Sequence, residues 1–153
     1  MEAVKKINFV LSKCRGRENN IVESFATRAE QFPSYMRKSG LYAALLYYAS
    51  KAVKSYEKLV CEYKDITGDS SAGYACWLYG LFLFLTSPNV KALLPSRGKP
   101  RLIFCVVPTN RRELLLVFND LSEMDAVEKS VLRKLVEIYA EAAKMVSRFV
   151  SGD

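Results

Sequence analysis

From Val131 to Val150 the chain carries two apolar stripes. Val131, Leu135, Ile138, Ala142, Met145 and Phe149 step by four, three, four, three and four residues. Leu132, Val136, Tyr139, Ala143, Val146 and Val150 repeat the pattern one residue along. This spacing collects side chains on one face of a helix with 3.6 residues per turn, and on neither face of a strand. Two adjacent stripes predict a buried face broader than a coiled-coil seam. Arg133, Lys134, Glu137, Glu141, Lys144 and Arg148 fall on the opposite side.

The same period recurs along the chain. Leu41, Leu45, Tyr48, Ala52, Tyr56, Leu59 and Tyr63 mark a long helix, Val4, Ile7, Val10, Leu11 and Cys14 an N-terminal one, and Ile21, Phe25, Ala29 and Phe32 a continuation. Gly16 in "RGREN" interrupts this run or is absorbed at ~1 kcal/mol, so residues 2–32 read as one helix or two. Asn20 followed by Glu23 has the spacing of a capping box. Pro33 favours a first-turn position, which predicts a single short turn over Ser34–Lys38, and Gly40 then punctuates before the helix from Leu41. Ala72–Leu85 is almost wholly apolar, but fourteen residues fall short of the ~20 that a membrane span needs. It predicts a central helix buried on all sides.

"KDITGDSS" (64–71) and "LPSRGKPR" (94–101) have loop composition, the second basic and exposed. "LIFCVV" (102–107) suits a strand, yet no second segment offers to pair with it, so it reads as weakly extended or helical. Thr109 or Asn110 can cap a helix through Phe118, and Ser122 can begin the last one. Together these elements predict an all-α single domain over residues 1–153, a bundle of about five to seven helices.

Composition narrows function mainly by exclusion. The 153 residues are half hydrophobic, enough for a real core and too many for a disordered chain. Histidine is absent, which removes the Ser-His-Asp and Cys-His nucleophile systems and the commonest general base. The four cysteines, Cys14, Cys61, Cys76 and Cys105, are scattered, so no structural zinc site is expected. They read as reduced thiols serving as small hydrophobes in a cytoplasmic protein. Met1–Leu11 alternates charge with apolar residues and has no signal-peptide core. Glu137 and Glu141 share a face but have no histidine or aspartate beside them, so no metal, cofactor or catalytic role is expected.

Charge is the positive signal. The formal net charge is +7, and no acidic residue lies between Asp69 and Glu113. Lys91, Arg97, Lys99, Arg101, Arg111 and Arg112 put six of those charges into one segment. Basic clusters without acidic neighbours bind phosphate backbones without reading sequence. Arg37 and Lys38, at the expected break before Gly40, are a second candidate contact, beside the free N–H groups of a helix start. Lys144 and Arg148 are a third. Arg133 and Glu137, spaced i, i+4, read as a surface ion pair. The tyrosines fall mostly in apolar stripes and read as core, and "GYACWLYG" reads as a close helix–helix contact.

The layout resembles the small subunit of the type III-B (Cmr) CRISPR effector complex. That family has a proline, a short turn, and then Gly-Leu opening a hydrophobic helix that ends in Ser-Lys. Pro33, Gly40, Leu41, Ser50 and Lys51 match this order. Arg133, Glu137 and Arg148 match the arginine, glutamate and basic end of the family's final helix. The resemblance covers residues 20–60 and 125–150. Met145-Val146-Ser147 stands where the family has a tryptophan and a lysine, and residues 97–118 match nothing in it. The resemblance implies a non-catalytic helical protein, stacked in several copies along a guide RNA assembly. Such a protein lines the groove where target RNA pairs with the guide, while neighbouring subunits cut. The expected partners are therefore guide and target RNA backbone, other subunits and copies of itself. The alternative is a helical protein-interaction module of another assembly, its charge set against an acidic protein partner.

Overall fold

The computed structural model describes residues 2–15, 19–61, 70–94 and 100–150. They form seven α-helices, α1 (Glu2–Arg15), α2 (Asn19–Ser39), α3 (Leu41–Val60), α4 (Ser70–Leu85), α5 (Pro88–Lys91), α6 (Arg111–Ser122) and α7 (Ala126–Val150), with one 3-10 turn at Leu102–Phe104. No strand occurs among the described residues, and the protein is all-α. No helix there is long and apolar enough to cross a membrane.

α4 is the axis of the bundle. From Ser71 to Leu85 every side chain is buried except Leu83, which is half-buried. α1, α2, α3 and α7 all pack against it. Trp77 sits at the centre, stacked on Phe32 of α2 with ring centroids 4.2 Å apart. It meets Tyr48 of α3 edge-on at 5.0 Å and Tyr139 of α7 at 5.2 Å. The Tyr139 hydroxyl donates to the Trp77 carbonyl at 2.7 Å, whereas the equally buried indole N–H of Trp77 meets no acceptor among the described residues.

The two glycines of "GYACWLYG" let neighbouring helices come close. A Cβ on Gly73 would lie 2.7 Å from the Ser24 backbone of α2, and one on Gly80 would collide with the Tyr139 hydroxyl. This segment is a helix–helix contact, as its composition suggests.

α2 corrects the expected turn after Pro33. The helix runs unbroken through Pro33 to Ser39. An internal proline costs about 3 kcal/mol or more. Phe25, Ala29, Phe32 and Met36 are buried along the same face, and each large buried side chain returns ~1.5–3 kcal/mol, so packing outweighs the lost hydrogen bond. The break falls at Gly40 alone, with φ 88 and ψ 167, a region almost closed to residues with a Cβ. Gly40 N–H donates to the Met36 carbonyl at 2.9 Å, while its own carbonyl accepts from Ala44 N–H at 3.1 Å. One residue therefore ends α2 and starts α3.

Residues 2–32 form two helices, α1 and the first part of α2, and the expected capping position at Asn20 falls one residue inside α2. Tyr63 and most of "KDITGDSS" lie outside the described residues. Residues 102–104 form the 3-10 turn, not a strand. Asn110 caps α6, its side chain accepting from Glu113 N–H at 2.9 Å. That helix runs past Phe118 to Ser122, so Ser122 ends α6 and does not open α7. Asp125 and Glu128 make the reciprocal pair at the start of α7, at 2.8 and 3.2 Å.

Two further expectations are corrected. Cys14 of α1 and Cys76 of α4 form a disulfide with Cα atoms 7.2 Å apart. Only Cys61 and Cys105 are free, both exposed, and with the bridge goes the argument from reduced thiols to a reducing compartment. On α7 the stripe of Leu132, Val136, Tyr139, Ala143 and Val146 is buried. Its neighbour is not: Leu135 and Ala142 are buried, but Ile138, Met145 and Phe149 face solvent. The buried face is displaced from the one the sequence suggests: it extends to Ala140 and Ser147, where α7 packs on α1, α2 and α4, and leaves the outer edge of the second stripe in solvent.

Candidate nucleic-acid interface

The strongest cationic feature is the start of α6. Burial raises the Tyr56 phenol well above its ordinary pKa, and the neutral hydroxyl donates to the Pro108 carbonyl at 2.8 Å. That bond ties the segment before α6 to the far end of α3. Glu113 then reaches back, its carboxylate accepting from Thr109 N–H and from the Thr109 hydroxyl, both at 2.9 Å. The helix start is thus held rigidly. On it stand Arg111 and Arg112, both exposed, as its first two residues. The positive end of a helix disfavours cations, so these arginines gain nothing locally from the helix dipole. They concentrate positive potential where backbone N–H groups already point outward, which suits an anionic oxygen.

Arg37 and Lys38 are exposed, but they occupy the last turn of α2, not a break. The dipole favours them there, and this ordinary helix-end pairing accounts for the position without a ligand. The free amides expected beside them belong to α3, whose cap, Gly40, offers no side chain.

Arg101 is removed from the candidate surface. Its Nε donates to Glu128 Oε2 at 2.6 Å, Nη2 to Glu128 Oε1 at 3.0 Å and to the Glu123 carbonyl at 3.2 Å, and Nη1 to Asp120 Oδ1 at 3.3 Å. Asp120 Oδ2 accepts from Leu102 N–H at 2.7 Å. Arg101 therefore clamps the 3-10 turn to the ends of α6 and α7. Hydrogen bonding to Glu128 keeps the guanidinium charged, and the same bonds hold the Glu128 carboxyl down to about 2. Arg97 and Lys99 lie outside the described residues.

On α7, Arg148 Nε donates to Glu30 Oε1 of α2 at 3.2 Å, with both side chains largely solvated. Lys144, one turn earlier, is half-buried. Arg133 and Glu137 form the expected i, i+4 pair at 3.0 Å.

The candidate cations are not one patch. The Tyr42 ring, at the start of α3, meets Phe118 of α6 at 6.1 Å, while Tyr56 near its end meets Pro108. Arg37 and Lys38 therefore sit at one end of α3 and Arg111 and Arg112 at the other, ~20 Å apart along the helix axis. Arg148 meets α2 two turns before Arg37, about 10 Å along that helix. Between the two ends of α3 runs a feature that sequence reading overlooked. Lys51, Lys54 and Lys58 recur at three and four residues on one edge of the helix, with Lys51 over the Tyr47 ring at 5.6 Å. The signal was visible as a second, basic period inside the apolar one. Glu57 is exposed beside it.

No group of three or more candidate ligands that could hold a metal ion occurs among the described residues. No family model, curated protein or solved structure matches the chain.

Proposed function

We propose that this chain is a non-catalytic small subunit of an RNA-guided type III CRISPR effector, offering a basic surface to guide and target RNA backbone and packing against neighbouring subunits in antiviral defence. Three things support the reading: the resemblance carried by Pro33, Gly40, Leu41, Ser50, Lys51, Arg133, Glu137 and Arg148, the all-helical fold, and the absence of histidine. The observation that carries it is the exposed Arg111–Arg112 pair on a rigidly held helix start, at the end of a run without acidic residues and next to a Glu113 whose carboxylate is engaged by Thr109. Across α3, Lys51, Lys54 and Lys58 extend this positive track toward Arg37 and Lys38. Such a span takes several phosphates of one strand.

The test is binding of a guide–target RNA duplex at several salt concentrations. Each phosphate contact removed lowers the magnitude of the log K against log [salt] slope by ~0.7–0.9, so R111A/R112A is expected to flatten it by about 1.5. R37A/K38A has a smaller effect. The loss is uniform across sequences, since backbone contacts position a protein without specifying bases. An unchanged slope in folded R111A/R112A refutes the assignment of these residues. Salt-insensitive behaviour, with an acidic protein and no small RNA recovered from native cells, supports the protein-interaction alternative instead.

A further inference from the structure

We propose that α7 pairs with α7 of a second copy of this chain, antiparallel, about a two-fold axis beside Ile138. The exposed stripe on α7 is the starting observation. Val127, Ile138, Met145 and Phe149 are 54%, 46%, 44% and 89% exposed, with Val131 half-buried between them. Leaving one such side chain in water forgoes much of the ~1.5–3 kcal/mol that its burial would return, and here several are aligned.

Their spacing is symmetric. Val131 and Met145 lie seven residues either side of Ile138, and Val127 and Phe149 lie eleven either side. Seven and eleven residues are close to two and three helical turns, so all five share one line along α7. A two-fold axis at Ile138 sets Ile138 against the partner's Ile138, Val131 against the partner's Met145, and Val127 against the partner's Phe149. Each small residue meets a large one, which keeps the helices evenly spaced.

The charges beside the seam nearly follow the same symmetry. Lys134 lies four residues before Ile138 and Glu141 three after it, so each Lys134 stands one residue, about 1.5 Å along the axis, from the level of the partner's Glu141, within reach of both flexible side chains, twice per pair. Neither side chain has an ion-pair partner among the described residues. A parallel pair would instead set Val127 against the partner's Val127 and Phe149 against the partner's Phe149, which spaces the two helices unevenly. A closed two-fold contact requires that residue i meet j while j meets i, and this stripe meets that condition. The pairing does not depend on RNA binding, and a closed pair differs from an open stack.

Sedimentation velocity of the full chain from low to high micromolar concentration tests the proposal. Wild type is expected to pass from monomer to dimer and no further. K134E and E141K each weaken the dimer by at least about tenfold, equivalent to ~1.4 kcal/mol, and the double exchange K134E/E141K restores it. All these side chains are exposed, and circular dichroism verifies that each variant is folded. In a C61S/C105S background, I138C cross-links to itself on mild oxidation. V131C alone does not, whereas V131C/M145C does. A monomer at every concentration, a dimer indifferent to both charge reversals, a double exchange that fails to rescue, open-ended growth, or V131C linking as readily as I138C would each overturn the proposal.

Discussion

Arg101 shows how one residue can look like a ligand contact and be a clamp. In sequence it stands in an acid-free run; in space it meets Asp120, Glu123 and Glu128, acidic residues 19, 22 and 27 positions later. Pattern reading places charges along the chain, and only the fold of α6 and α7 brings these together. The consequence is a pH dependence. The Glu128 carboxyl, held to about 2 by Arg101 and by the Asp125 backbone, titrates below its unfolded value. A depressed carboxyl stabilises the fold above the unfolded pKa, ~4.3, and that contribution is lost as pH falls toward 2. Glu128→Gln is therefore expected to lower Tm by a few degrees at neutral pH, and the gap to wild type should close between about pH 4.3 and 2. Thermal melts across that range measure it; a gap that stays constant refutes the assignment.

At the scale of elements, long periodic segments were legible and their ends were not. The stripes of α1 and α3 could be read because burial imposes a 3.6-residue period on side-chain chemistry, and α4 because an unbroken apolar run marks a helix buried on all sides. Pro33 misled because local preference argued for a turn, while Phe32 and Met36 were already committed to the core. The start of α7 misled because Ser122 and Asp125 are both plausible caps, and only Glu128, three residues after Asp125, completes the reciprocal pair. The α1–α4 bridge was illegible for another reason: 62 residues separate Cys14 from Cys76, and spacing alone cannot pair four cysteines. Its presence predicts that two thiols titrate in denaturant without reductant and four with it. In the loop-closure model, a link across that separation constrains the unfolded chain by about 4 kcal/mol. Reductant, or C14S/C76S, should therefore lower the denaturant midpoint. Four titratable thiols without reductant would show the bridge to be absent.

The whole molecule is organised around an element that cannot stand alone. α4 presents apolar side chains in every direction, and α1, α2, α3 and α7 must all be in place to cover them. Its amides should exchange with solvent only on global unfolding, the slowest in the chain, while α6, packed chiefly on α3 and the 3-10 turn, opens at lower cost. Hydrogen exchange followed by mass spectrometry measures this directly; α6 protected as long as α4 would contradict it. The same enclosure sets an order of events during synthesis. Trp77, Gly80 and Phe84 form the side of α4 that Tyr139 closes, and Tyr139 is made more than fifty residues later. At ~5–20 residues per second a ribosome needs several seconds to deliver it. Through that interval the nascent chain carries an open aromatic seam, so a pause or truncation before α7 would release a sticky fragment in place of a smaller stable protein.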